Sequence, residues 1–372
     1  MYRSEHPNPQ CRRAGWQNLN GRWEFAFDDG RSGRDRKLYL AVSLPETIEV
    51  PFCPQAKLSG IGRTDFLAAV WYRREFSVTE DALLGRVLLH FGAVDYHAYV
   101  YVNGQPIGEH IGGYTPFVFD ITDACHAGEN VLTVCAEDDE RNPHIPRGKQ
   151  AETYASAGCD YTRTTGIWQT VWLEFVPTSH IVSFRLYPDA AAGTLRVTAE
   201  TVGAGTLSVT ALWDGCAVGT AEKHTDGGHV DAEIKLSERH LWEVGKGGLY
   251  DLVLTFGDDR VESYFGLRDI RYADGKFLLN GRSVFRRLVL DQGFYPDGIY
   301  TAPSEDDLAA DILLSQKVGF NGARLHEKVF EPLFLYHADR LGYLVWGEYP
   351  NWGVDHSDPA AVYSVLPEWM AE

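Results

Sequence analysis

Along the first half of the chain, short runs alternate apolar and polar residues, and glycine, asparagine and proline separate them. A period of two predicts half-buried strands, and strands this short and closely spaced predict a sandwich or a barrel. In Arg22-Trp23-Glu24-Phe25-Ala26-Phe27, the residues Trp23, Phe25 and Phe27 fall on one face. Residues 70–76 and 96–102 repeat the pattern. The second of these runs into Asn103-Gly104, a pair suited to a two-residue hairpin turn because both residues accept positive φ. Residues 108–116 read as a glycine-rich loop before a strand at 117–121, and Gly128-Glu129-Asn130 turns into a strand at 131–134. Between Asp138 and Thr165 the alternation fades and polar residues, proline and glycine gather. Loops that long inside a compact unit usually have a function or move. The sheet resumes at 166–173, and one jelly-roll-like domain is expected over 1–177.

A second all-β block is expected over 178–269, with strand signals at 195–199, 207–212 and 250–254. Its size suits an immunoglobulin-like sandwich. After Arg271 the pattern changes to strand–helix–strand. Residues 284–290 predict a buried strand. Ser304 followed by Asp307 predicts a helix start, with Leu308, Ile312 and Ser315 on one face. A second strand is expected at 320–325, a helix at 329–341, a strand at 343–348 and a third helix near Pro359. Over 270–372 this is the opening of a (β/α)₈ barrel or of a doubly wound sheet.

Charge narrows the partners. The 34 Lys and Arg against 52 Asp and Glu give a net charge of −18 with no basic stripe, which argues against nucleic acid. It also mildly disfavours steering of anionic substrates. No apolar run approaches the roughly 18 residues of a membrane span, and the first residues lack the apolar core of a signal peptide. None of the six cysteines forms a Cys-x-x-Cys pair, so reduced thiols in a cytoplasmic protein are expected. Aromatic residues make up 13% of the chain. Two readings of that share stay open: the ordinary composition of strands, and flat rings that stack on sugars.

Several separate stretches carry a likeness. They are Leu19-Asn20-Gly21-Arg22-Trp23-Glu24-Phe25, Val70-Trp71-Tyr72-Arg73-Arg74-Glu75-Phe76, Val102-Asn103-Gly104, Gly112-Gly113-Tyr114-Thr115-Pro116-Phe117 and Phe119-Asp120-Ile121-Thr122. Thr165-Gly166-Ile167-Trp168-Gln169-Thr170-Val171-Trp172-Leu173, Phe277-Leu278-Leu279-Asn280-Gly281 and Gly319-Phe320-Asn321-Gly322-Ala323-Arg324 complete the set. In this order they resemble the family 2 glycoside hydrolases, which include β-galactosidases, β-glucuronidases and β-mannosidases. The likeness spans nearly all 372 residues. One place departs from it. Many members end the first barrel strand with a His-Glu-x-His-Pro run, and this chain has Asp291-Gln292-Gly293-Phe294-Tyr295-Pro296.

The resemblance implies a retaining β-glycosidase acting on a non-reducing-end glycoside. The acidic balance favours a β-galactoside, with a β-glucuronide second. Such enzymes use an acid/base and a nucleophilic carboxyl about 5–5.5 Å apart. In the family these sit on the fourth and seventh barrel strands, the acid/base following an asparagine. Only three barrel strands are expected here, and no Asn-Glu pair occurs after Tyr250. Both catalytic glutamates are therefore expected beyond Glu372, and the chain alone is expected to be an inactive portion of a longer protein. Supporting sugar-site residues are expected at strand ends: Asp291 and Gln292, Arg324 and His326, and Glu348. Trp346 and Trp352 are candidates for a stacking wall or for core. Glu327 belongs with Asp291 and Glu348 as a carboxylate that could act unconventionally. Gly112, Gly113 and Tyr114 fit either a tight turn or a loop reaching the site.

No metal site is read from the thirteen scattered histidines. Some family β-galactosidases use Mg²⁺ or Na⁺, which the resemblance implies without naming ligands here. Family relatives are often dimers or tetramers, which leaves a homo-oligomer open. The competing class is a non-catalytic carbohydrate-binding or assembly protein.

Overall fold

The computed structural model describes residues 3–371, and strands predominate in it. The first unit has two antiparallel sheets face to face. One orders its strands Trp16–Asn18, Val171–Val176, Arg86–Phe91 and Phe117–Asp120. The other runs Glu46–Val50, Gly21–Phe27, Ala69–Val78, Gly128–Glu137, His97–Val102 and Gln105–Ile111. Their inward residues form one core, with Trp23, Phe25, Tyr72 and Val134 from the second sheet meeting Leu89, Phe91 and Leu173 from the first. The alternation read in the sequence is the alternation between this core and the outer faces.

Asn103 and Gly104 both have positive φ, 51° and 74°, as the two-residue turn requires. The glycine-rich loop expected at 108–116 is shorter than that. Residues up to Ile111 belong to the strand Gln105–Ile111, which pairs back across the turn with His97–Val102. Gly108 is glycine because the Phe119 ring lies where its side chain would point, 2.5 Å from an ideal Cβ.

The second unit also faces two sheets. His180–Asp189, Thr194–Val202 and Gly228–Lys235 lie against Cys216–Thr225, Gly205–Trp213, Leu249–Phe256 and Asp259–Gly266. Leu195, Val197, Val209, Leu252 and Phe256 fill the space between them. Arg13 joins the two units. Its guanidinium donates to Asp259 at 2.9 and 3.0 Å, to Glu174 at 2.7 Å and to the Ile181 carbonyl at 2.7 Å. Removing Arg13 would strand two buried carboxylates, Glu174 and Asp259.

The remainder begins with a small antiparallel meander, Ile270–Ala273, Lys276–Leu279 and Arg282–Ser283, which the strand–helix–strand reading did not anticipate. Then come three parallel strands, Leu288–Asp291, Gly322–Leu325 and Leu344–Trp346, with helices α1 (Glu305–Lys317), α2 (Pro332–Leu341) and α3 (Pro359–Ala371). Ser304 caps α1 by accepting from the Asp307 N–H, and Glu305, Asp306 and Asp307 complement the positive helix end. Gly342 closes α2 at φ 68°, where a side chain would strike the backbone of Gly245 and Lys246.

Three expectations change here. The first strand is not buried and starts at Leu288, because the Val284 N–H still belongs to the meander through the Phe277 carbonyl. The second helix starts at Pro332, whose ring suits the first helical turn. The third strand ends at Trp346, so Glu348 stands in the following loop.

Ala323 and Leu325 face α1 and α2, against Leu308, Ile312, Leu333 and Phe334. Leu290, Arg324 and Trp346, in register on adjacent strands, face the other way and stay about half exposed.

Arg3 ties the start of the chain to this part. Its side chain is ion-paired with Glu5 and Glu331 and donates to the Ala302 carbonyl, while its own carbonyl accepts from Asn18 and Asn20 at 2.9 Å. No disulfide forms among the described residues, and no helix among them is long and apolar enough to cross a membrane.

Candidate functional site

The C-terminal ends of the three parallel strands gather most of the residues named from the sequence. Asp291 closes the first strand, and its Oδ1 accepts from the Gly293 N–H at 2.9 Å. Burial raises its pKa, opposed by that N–H and by the Lys328 charge. The Oε1 of Gln292 is buried without a hydrogen-bond partner. Arg324, on the second strand, is ion-paired through Nε with Glu348. His326 follows, 8% exposed, with Nε2 4.0 Å from the same carboxylate and Nδ1 unpartnered. Burial lowers the His326 pKa; Glu348 opposes this, and Lys149 and Arg324 add to it.

Trp352 sets its ring edge-on to His326 at 6.0 Å. Trp346 instead lies on the half-exposed sheet face under the Arg286 guanidinium, 5.4 Å from its ring centre. The two indoles make no ring contact with each other and meet different cations.

Glu327 has a backbone φ of 55°, and its Oε2 accepts from the Asn351 and Trp352 N–H groups, both at 2.9 Å. It holds the 349–356 loop in place. Residues 138–165 of the first unit reach the same place. The Arg147 and Gly148 N–H groups donate to the Trp352 carbonyl at 2.8 and 3.2 Å, and the Asp355 N–H donates to the Pro143 carbonyl. The long loop is thus anchored over the strand ends.

It also carries residues that motif reading passed over. Lys149 is 2% exposed, with its ammonium 3.1 Å from the centre of the Trp352 ring. Asp160 has a buried Oδ1 with no hydrogen-bond partner, 3.8 Å from Arg147. Loop length was the one sequence signal that pointed to them.

The 112–116 loop arrives as well. Glu368 of α3 accepts from the Tyr114 N–H at 2.7 Å, the Thr115 N–H at 3.1 Å and the Tyr349 hydroxyl at 2.6 Å. Gly112 has φ 136°, and its missing side chain makes room for that carboxylate.

Ligand atoms of His326, Glu327 and Glu348 lie within 4.8 Å of one another. They do not fit a resident Mg²⁺ or Na⁺. Glu348 is committed to Arg324, Glu327 to two amides, and two positive side chains, Lys149 and Arg324, act on His326.

Residues 35–177 match the model of the family 2 glycosyl hydrolase sugar-binding domain. A β-galactosidase of Thermoanaerobacter pseudethanolicus is 27% identical over 90% of this chain and 45% of its own length. A β-glucuronidase of Streptococcus agalactiae is 26% identical over 91% of this chain and 57% of its own. Residues 35–177 thus match the sugar-binding domain of that family, and the chain as a whole is similar to these two glycosidases. It spans about half the length of these curated relatives. A β-glucuronidase structure from Ruminococcus gnavus, in complex with D-glucaro 1,5-lactone, superposes with a TM-score of 0.82. At 21% identity over all of this chain and 65% of that one, the likeness shows a shared fold.

Proposed function

We propose that this chain is the sugar-recognising part of a retaining β-glycosidase acting on non-reducing-end β-glycosides. In this reading residues 1–177 are a jelly-roll-like sugar-binding domain, 178–269 an immunoglobulin-like sandwich, and 270–372 the first three βα units of a (β/α)₈ barrel. The observation that carries it is the convergence of Arg324, His326 and Glu348 at the parallel strand ends, beneath a loop from the first sandwich. Sites of such barrels gather at that end.

Each side chain then has a task. Arg324, always charged, fixes the Glu348 carboxylate. His326, kept neutral by burial, offers one donor and one acceptor to sugar hydroxyls. Trp352 presents an apolar ring, and Glu327 sets its position. The acid/base and nucleophile are supplied by residues outside 1–372, and the chain alone does not hydrolyse.

A second reading, a carbohydrate-binding or assembly protein without hydrolysis, is favoured by the commitment of Glu327 and Glu348 to structural partners. Protein from the complete reading frame that carries these residues separates the two. Hydrolysis of 4-nitrophenyl β-glycosides, followed by NMR, is expected to release the β-anomer first. Release of the α-anomer, or no hydrolysis with sugar binding intact, would overturn the proposal.

A further inference from the structure

Two buried lysines flank the candidate site, and they differ in one respect. The Lys328 ammonium donates to the Gly293 and Tyr300 carbonyls at 2.6 and 2.7 Å. Its burial is satisfied by the protein itself. Lys149 is 2% exposed as a whole residue, yet its ammonium keeps some contact with solvent, and among the described residues it has neither a hydrogen-bond acceptor nor a carboxylate partner. It lies over the face of Trp352.

An ammonium has three donors and is strongly hydrated, so at a nearly closed position without a protein partner it favours an anion from outside. A ring face compensates only in part. Carboxylates are not scarce, since acidic residues outnumber basic ones by 52 to 34.

Nor is Lys149 loosely placed. The Gly148 N–H is bonded to the Trp352 carbonyl, the Lys149 carbonyl accepts from Tyr161, and Gln150 is held by Asp95 at 2.7 Å and by the Thr164 N–H at 2.6 Å. The loop therefore presents a fixed cation beside Trp352 and His326. Arg324, the other cation acting on His326, is already taken by Glu348.

We infer that Lys149 receives a singly charged oxyanion carried by the sugar, so that the site selects acidic glycosides over neutral ones. This rests on the glycosidase reading above and adds a specificity-determining residue to it. It reverses the preference for a neutral sugar drawn from net charge, because a fixed local cation outweighs a diffuse, salt-screened field. A uronate carboxylate and a sulfate ester share the required chemistry.

The test compares kcat/KM for 4-nitrophenyl β-D-glucuronide, β-D-galactoside 6-sulfate, β-D-galactoside and β-D-glucoside, in wild type, Lys149→Met and Lys149→Arg, using the complete protein. One acidic substrate is expected to lead, and which one leads names the oxyanion. Lys149→Met should cut the acidic-to-neutral ratio by about 30-fold, as for a lost charge-assisted bond, and Lys149→Arg should restore part of it.

A preference for neutral glycosides, or an unchanged ratio in Lys149→Met, overturns the proposal and leaves the glycosidase reading standing. Equal loss on all four substrates also overturns it, since a carboxylate of the protein would then face Lys149. If wild type cleaves none of them, nor 4-nitrophenyl β-D-mannoside, the glycosidase reading fails. NMR titration with D-glucuronate, D-galactose 6-sulfate and D-glucose then decides the inference alone: acidic preference lost in Lys149→Met supports it, and equal binding of all three overturns it.

Discussion

The two sandwiches and the parallel β/α segment treat their apolar residues differently. Trp23 and Phe25 in the first sandwich are at most 1% exposed, and Leu252 and Phe256 in the second are fully buried. Each sheet there finds its cover in another sheet of the same unit. In the parallel segment, α1 and α2 cover one face only, and Leu290 and Trp346 on the other face are 50% and 52% exposed. Parallel sheets occur almost only with both faces covered or closed into a barrel. A sandwich finishes its own core, whereas a parallel sheet depends on elements beyond its first helices.

Two tryptophans turn that contrast into a measurement. Trp23→Ala should destabilise the first sandwich by about 4 kcal/mol in urea titrations, the cost of a large cavity in a closed core. A loss under about 1 kcal/mol would mean the core collapses around the gap.

The next effect separates burial with partners from burial without strain. Burial holds the Lys328 pKa near 8, below its ordinary 10.5. The folded chain then binds fewer protons than the unfolded chain between those values, so this residue's contribution to stability rises with pH through that window. Measured against Lys328→Met, wild type should gain up to about 3 kcal/mol between pH 7.5 and 10.5. A flat difference would show that Lys328 ionises as it does in water.

Ser304→Ala should cost about 1 kcal/mol, by loss of the α1 cap, read as a lower midpoint for the β/α segment. No change would mean that Asp307 or water replaces the hydroxyl. Of the same order, Trp346→Ala should cost about 1 kcal/mol, because half of the ring already meets solvent and only the rest loses its cover. A loss comparable to that of Trp23→Ala would erase the contrast between the two regions.

Features set by neighbours in sequence could be read before the structure. Asn103-Gly104 and Ser304 with Asp307 declare their geometry within four residues, and both stand as expected. Gly108 was misread because its reason, the Phe119 ring, lies on a different strand. The meander at 270–283 was missed because strands of two to four residues give no period to count. Arg324, His326 and Glu348 were named through the family resemblance, and they do lie together. Lys149 was beyond reach, since an irregular loop has no register that tells which residue turns inward. Glu327 was weighed as a reactive carboxylate, and only its two amide contacts reveal a holding role.

The clasp at Arg3 has a consequence for how the molecule is made. Its partner Glu331 comes 328 residues later. At roughly 5–20 residues per second, a ribosome takes about 16–66 s to travel between them. Over that interval the first sandwich can form around Trp23 and Phe25, but the arginine beside it has only Glu5 to grip. The buried charge is therefore withheld until synthesis has passed the third unit's second strand, so this contact is among the last a newborn chain can make.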